Sequence, residues 1–195
     1  MEDKYNFFAM ISRMKYINRW GLMRNTISEN IAEHSLEVGM IAHALAVINN
    51  IYFQGDIEPN QVAVAAMYHD VPEIITGDLP TPVKYFAPEI RDAYKTVEET
   101  AIEKLISSLP MEMQPVFENV ISEDARTYEC HKLVKAADKI SALIKCVEER
   151  RMGNLDFAQA EAATKESIRL MECKEADFFL EKFLDSYSLT VDEQA

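Results

Sequence analysis

Val62-Ala63-Val64-Ala65-Ala66-Met67-Tyr68-His69-Asp70-Val71-Pro72-Glu73 joins an unbroken apolar run to a histidine–aspartate pair and a proline. Six apolar residues with no polar face predict a helix buried on all sides, at the centre of a helical protein. Pro59 fits the first turn of that helix, where a missing N–H costs nothing. Pro72 is expected to end it, because proline donates no backbone bond and disfavours helix at Val71. His69 and Asp70 then fall at the helix C-terminus. A carboxylate there meets the negative end of the dipole, at a cost of about 0.3–1 kcal/mol. A bound cation would reverse that sign.

Helical periodicity recurs on both sides of this stretch. Phe7, Phe8, Ile11, Met14 and Lys15 predict a first helix, and Arg19 to Ser28, with Gly21, reads as a loop. A long helix follows from Asn30 to about Asn49, carrying the stripe Ile31, Val38, Ile41, Ala42, Leu45, Ile48. Asn30 with Glu33 three residues on has the form of an N-cap and its reciprocal acid. Thr76-Gly77-Asp78-Leu79-Pro80-Thr81-Pro82 is the densest loop signal in the chain. Further helices are expected at roughly 89–108, 111–121, 126–151, 154–172 and 175–185. Only 5 Gly and 7 Pro in 195 residues, amid abundant helix formers, argue for an all-α fold. With no repeat or linker in view, residues 1–195 read as a single domain. The apolar helix with Phe178, Phe179, Leu180, Phe183 and Leu184 serves either the core or a dimer surface.

The net charge of −13 disfavours duplex nucleic acid as a partner, since that is bound chiefly through basic residues. A small anion remains compatible with a local pocket holding a cation and an arginine. Cys130, Cys146 and Cys173 form no CxxC pair, so reduced thiols in a cytoplasmic protein are expected. No signal peptide is visible at Met1-Glu2-Asp3-Lys4-Tyr5. The apolar stretch Met40 to Ile48 is interrupted by His43 and is too short for a bilayer, so no membrane partner is expected.

Four residues stand out chemically: His34, His69, Asp70 and Asp138. His34 lies in the first turn of the Asn30 helix. Asp138 borders the stripe Leu133, Ala137, Ile140, Ile144, Val147, so it can face a cleft beside a core. Two imidazoles and two carboxylates suit Mn, Co, Fe, Ni or Zn. Each residue alone is more often a hydrogen-bonded neighbour of an apolar helix than a metal ligand. His43, nine residues after His34, takes the opposite helix face, and His131 lies about 10 Å along the axis from Asp138. Neither can share a metal with its helix neighbour.

The H…HD…D order of these four residues resembles the signature of the HD superfamily. Ile17-Asn18-Arg19-Trp20, Glu33-His34-Ser35, Tyr68-His69-Asp70, Glu73 and Gly77-Asp78-Leu79-Pro80-Thr81-Pro82-Val83-Lys84-Tyr85 are similar to the bacterial 5′-deoxynucleotidases of the YfbR type. The resemblance runs from Phe7 to about Leu189. It implies an all-α HD-domain bundle around a single divalent metal, Co²⁺ or Mn²⁺, held by His34, His69, Asp70 and Asp138. It further implies deoxyribonucleoside 5′-monophosphates as substrates, and a homodimer. Pro72 departs from the small or polar residue expected in the HDxxE turn, which a proline opening a helical turn accommodates. Dinuclear HD phosphodiesterases and HD oxygenases use extra histidines that this chain lacks, so one metal is expected.

Within that frame each side chain has an expected task. Glu73, three residues after Asp70, is the candidate general acid/base. Arg19 offers a planar fork matching phosphate oxygens. Trp20 supplies a rigid wall that would exclude a 2′-hydroxyl. Asp78, Leu79, Pro80 and Thr81 line the nucleotide pocket, Asp78 accepting from a sugar hydroxyl and Thr81 donating to phosphate. Lys84 is either a further phosphate contact or a solvated lysine. His34, Asp70 and Asp138 touch both metal and substrate. The alternatives are an HD hydrolase of nucleoside triphosphates or cyclic nucleotides, or a non-catalytic HD-fold regulator. A triphosphate site would call for more basic residues than Arg19 and Lys84.

Overall fold

A computed structural model describes residues 5–84, 86–122 and 126–194. The helices in chain order are α1 (Phe7–Ile11), α2 (Ile31–Tyr52), α3 (Pro59–Met67), α4 (Glu73–Thr76), α5 (Thr81–Lys84), α6 (Pro88–Ile106), α7 (Gln114–Ile121), α8 (Tyr128–Arg151), α9 (Ala158–Arg169), α10 (Lys174–Phe183) and α11 (Val191–Gln194). Short 3₁₀ turns follow α1 and flank α9 and α10. Among the described residues there is no strand, only an isolated antiparallel bridge between Asn18 and Asn30.

The chain forms two compact units. The first comprises Met1–Leu22, Ser28–Ser35 and Tyr68–Arg126. Its core is Phe7, Met14, Ile31, Val71, Leu105, Ile106, Leu109 and Ile121. Phe7 meets Phe117 edge-on at 5.0 Å, a geometry that aromatic quadrupoles favour. Ala101 and Leu105 recur one turn apart on α6, as a single buried stripe requires.

The second unit comprises Met23–Ile27, Leu36–Met67 and Thr127–Ala195. Val38, Ile41, Ala42, Leu45 and Ile48 of α2 pack with Val62, Ala65 and Ala66 of α3 and with Leu133, Ala137, Ile140 and Ile144 of α8. Full burial of a residue such as Leu45 contributes about 1.5–3 kcal/mol. Phe179 of α10 is buried in the same core, with Phe178, Leu180 and Leu184 against it, while Phe183 is exposed. The α10 face is therefore chiefly core. The Glu149 carboxylate accepts from the backbone N–H groups of Thr26 and Ile27, from Asn154 and from Lys145, which ties the Met23–Ile27 segment to α8.

The Asn30 cap forms as the sequence predicts. Asn30 Oδ1 accepts from the backbone of Ala32 and Glu33 at 3.0 and 3.1 Å, and Glu33 Oε2 accepts from Asn30 N at 3.2 Å. The α2 helix that follows is, at 22 residues and mean hydropathy 1.3, long and apolar enough to cross a bilayer. More than half of that window, 56%, is buried inside the protein. With Glu33, His34 and Glu37 in its first turns, α2 is a core helix.

The Val62–Met67 stretch corrects its sequence reading. Val62, Ala65 and Ala66 are buried, but Val64 and Met67 are about 40% exposed. The helix thus buries one stripe rather than its whole surface. It also ends at Met67, not at Pro72. Residues 68 to 74 proceed by three-residue turns, Val71 N to Tyr68 O, Glu73 N to Asp70 O and Ile74 N to Val71 O, at 3.0–3.3 Å. Pro72 is buried and caps α4, where its missing donor is not needed. The predicted first helix is α1 plus a 3₁₀ turn over Ser12–Tyr16, and the stretch predicted at 154–172 opens with a 3₁₀ turn before α9.

Candidate active site

Three segments of the first unit converge. The Asn18–Asn30 bridge brings the chain around Arg19 back against the start of α2: Arg19 N donates to Glu29 O at 2.9 Å and Ile31 N to Ile17 O at 3.0 Å. The capped first turn of α2 fixes His34, whose side chain is fully buried. The tight turns after α3 present His69 and Asp70.

One donor atom from each of His34, His69 and Asp70 lies within 4.8 Å of the others. His34 Nε2 is 3.5 Å from Asp70 Oδ2, and His69 Nε2 is 3.2 Å from Asp70 Oδ1. The imidazole centroids are 5.3 Å apart. Two imidazoles and a carboxylate are a donor set for a divalent transition metal. A buried oxygen nearby points the same way: Glu73 Oε2 has no hydrogen-bond partner among the described residues, a state that costs free energy unless a ligand or proton relieves it. These residues fit a cation.

Asp138, the fourth residue of the expected set, lies on α8 of the second unit and is half-buried. Arg19 Nη1 stands 3.3 Å from Asp70 Oδ2, and Arg19 Nε 3.5 Å from Glu29 Oε2. Trp20 adopts φ 59°, a left-handed conformation that bulky residues avoid. Its indole N–H donates to Glu29 Oε2 at 2.8 Å, and its backbone N–H faces Asp78. An outlier held by specific contacts at such a place marks a constrained site.

Glu73 opens α4, which Gly77 ends with φ 73° and ψ 165°, a conformation essentially confined to glycine. Burial, with the charges of Asp70 and Asp78 adding to it, pushes the Glu73 carboxyl up to about 10, against the opposing pull of Arg19 and Lys84. Such a group holds its proton at neutral pH; a cation among the neighbouring donors would act in the opposite sense. Burial likewise raises Asp78, with Asp70 adding to it and Arg19 opposing. For Glu29 the balance falls the other way. Burial is the largest and works upward, but His34, Arg19 and Trp20 together hold the carboxyl below its ordinary value.

Leu79 and Pro80 are half-buried in the loop after Gly77. The side chain of Thr81 and the whole of Tyr85 lie outside the described residues. Lys84 is not a solvated lysine. It bonds Glu98 Oε1 at 3.1 Å and sits 4.7 Å above the Tyr94 ring. Tyr94 in turn donates to Gly77 O at 3.1 Å and shares a bond with Thr76 Oγ1 at 2.9 Å, anchoring the loop to α6.

Glu29 and Tyr94 are neighbours of the candidate site residues that the sequence reading missed. Neither follows from spacing along a helix, because each acts on a residue of another segment. An acid directly before the Asn30 cap was the one local signal available for Glu29.

The model for YfbR-like 5′-deoxynucleotidases matches residues 6–187. A 5′-deoxynucleotidase of Cronobacter sakazakii is 47% identical over 188 residues, 96% of this chain and 94% of that protein. One of Yersinia pestis is also 47% identical, over 96% of this chain and 95% of that protein. Among solved structures, an HD-domain phosphohydrolase from Listeria innocua superposes with TM-score 0.82 at 23% identity, covering 97% of this chain and 91% of that one. The HD phosphohydrolase DatZ of cyanophage S-2L, bound to dA and one catalytic Zn²⁺, superposes with TM-score 0.67 at 22% identity, covering 91% and 96%. These two likenesses show the all-α HD fold. The sequence relationship goes further: this chain belongs to the YfbR-like family of 5′-deoxynucleotidases.

Proposed function

We propose that this chain hydrolyses deoxyribonucleoside 5′-monophosphates to deoxyribonucleoside and phosphate. The observation that carries the reading is the convergence of His34, His69 and Asp70 within 4.8 Å, with Arg19 beside Asp70 and the buried acid Glu73 opening the next helix. Full-length relatives named 5′-deoxynucleotidase support the substrate class.

His34, His69 and Asp70 would hold one divalent cation, Co²⁺ or Mn²⁺, with Asp138 assigned to the same set by its place in the H…HD…D pattern. Bound there, it supplies Lewis-acid polarisation of a phosphoryl oxygen and a lowered pKa for the attacking water. Arg19 orients the phosphate through its fork of donors. Water adds to phosphorus as the bond to the 5′-oxygen breaks; Glu73 gives its proton to that leaving oxygen and is reprotonated by the proton lost from the added water. Trp20 walls the sugar on the side of the 2′-carbon, and Asp78 accepts from a sugar hydroxyl. Leu79, Pro80 and Thr81 line the pocket, and Lys84, held by Glu98, adds positive potential on the phosphate side. The protein acts in the cytoplasm as a homodimer. Each chain is one HD domain, a reading supported by a family match that runs from residue 6 to 187.

The test is phosphate release by chelator-stripped protein, with Co²⁺ or Mn²⁺ restored, on deoxyadenosine and adenosine 5′-monophosphates. Metal-dependent release from the deoxy substrate alone is expected. Release from both would remove the wall role of Trp20. Release from neither, with turnover of a triphosphate or cyclic nucleotide instead, would overturn the substrate assignment.

A further inference from the structure

One carboxylate serves three of the residues assigned above. Glu29 Oε2 accepts the Trp20 indole N–H at 2.8 Å and lies 3.5 Å from Arg19 Nε, while Glu29 Oε1 lies 3.5 Å from His34 Nδ1. Its side chain is 12% exposed and that of His34 fully buried, so water competes little for these contacts. The backbone of Glu29 also accepts from Arg19 N at 2.9 Å. Glu29 thus grips Arg19 by both main chain and side chain.

We propose that Glu29 is the positioning residue of this centre, orienting His34 for the metal and setting Arg19 and Trp20 against the substrate. The inference rests on the metal-site reading above. His34 presents its two ring nitrogens to two different carboxylates, Nδ1 to Glu29 and Nε2 to Asp70. When one imidazole N–H points its hydrogen at a carboxylate, the other nitrogen keeps its lone pair and a fixed direction for a metal. Arg19 is shared in the same manner, with Nε at Glu29 and Nη1 at Asp70. That pair of contacts sets the plane of the guanidinium. The indole bond then holds Trp20 in its left-handed backbone conformation. Removing the whole Glu29 side chain would release all three at once, whereas removing only its charge would release His34 and Arg19 and leave the indole an acceptor; Glu29 itself need not touch the substrate.

The chain supplies its own reporter, because Trp20 is the single tryptophan. Chelator-stripped full-length protein is titrated with Co²⁺ by calorimetry, and Trp20 emission is recorded for wild type, Glu29→Gln, Glu29→Asp and His34→Ala. In Glu29→Gln the amide oxygen can still accept from the indole, but the charge facing His34 and Arg19 is gone. The expected result is Trp20 emission at the wild-type wavelength with Co²⁺ affinity lowered about 10–100-fold, the range for loss of a carboxylate behind a metal-bound histidine. Glu29→Asp, which keeps the charge one methylene short, should bind more tightly than Glu29→Gln. It carries the same comparison where the glutamine variant does not fold. Wild-type affinity in Glu29→Gln would overturn the proposal. So would weaker binding with shifted emission, because the loop itself would then have moved and the role would be structural. Wild-type affinity in His34→Ala would overturn the metal site first, and the role of Glu29 with it.

Discussion

The backbone N–H of Glu73 donates to the carbonyl of Asp70 at 3.0 Å. The candidate acid is therefore tied by one turn to the carboxylate that faces His34, His69 and Arg19. Because the bond is main chain to main chain, replacing the Glu73 side chain leaves the turn in place. Glu73→Gln is expected to lower kcat by about 10²–10⁴-fold, the usual share of general acid/base catalysis. Co²⁺ affinity should stay within a few-fold of wild type. Steady-state turnover and calorimetry on the same preparation check both halves; a variant with near-wild-type kcat would free Glu73 of its assigned role.

Asp138 is assigned from the sequence pattern of the family. Asp138→Ala is expected to lose Co²⁺ binding and turnover together, because it takes one charge from a four-residue donor set. Metal analysis after dialysis decides the matter, and one equivalent of metal retained would remove Asp138 from the site.

How much of this was legible in the sequence follows from the range of each signal. The Asn30–Glu33 cap spans three residues and could be read directly, as could the α2 stripe, whose Ile31 enters the first core and whose Val38 to Ile48 enter the second. The Val62–Met67 run gave the helix but not its exposed face, since an all-apolar pattern has no polar residue to mark a solvent side. The end of α3 was misplaced for a related reason. Pro72 disfavours helix only in the residues before it, so it bounds the end of α3 without fixing it at Met67, and Val71 is instead buried in the first core. Glu29 and Tyr94 lay outside any periodic signal, because their partners Trp20, Arg19 and Gly77 sit across a loop or on another helix.

Glu149 makes the second unit sensitive to acid. Burial works against its charge, but bonds from Lys145, Asn154 and the Thr26 backbone outweigh that and hold its carboxyl well below the ordinary range. A carboxylate with a lowered folded-state pKa adds stability above its unfolded value near 4.3, and that stability is lost as pH falls below it. Glu149→Gln should cost about 3–5 kcal/mol at pH 7, as expected when a buried ion pair loses one partner. The gap between wild type and variant should narrow as pH falls from about 5 towards 3. Urea midpoints across that interval test the sign, and a gap that widens in acid would refute it.

Tyr94 anchors the loop that lines the site. Its hydroxyl donates to the Gly77 carbonyl and pairs with Thr76, where Gly77 turns the chain from α4 towards Asp78, Leu79 and Pro80. Tyr94→Phe keeps the ring under Lys84 and removes only the hydroxyl. A neutral hydrogen bond is worth about 0.5–1.5 kcal/mol, so the loop should loosen without loss of fold. The expected signature is a KM raised by roughly 2–10-fold, with kcat changed less, because the loop positions substrate while Glu73 and the metal-side residues stay in place. Gly77→Ala should act more strongly on the same loop. No side-chain clash is involved, as a Cβ there meets nothing within 4 Å. The cost is instead the backbone conformation itself, about 1–3 kcal/mol. Initial-rate kinetics of both variants on deoxyadenosine 5′-monophosphate test this. A fall in kcat at unchanged KM in Tyr94→Phe would show that the hydroxyl acts on the chemistry through Glu73, rather than on the loop.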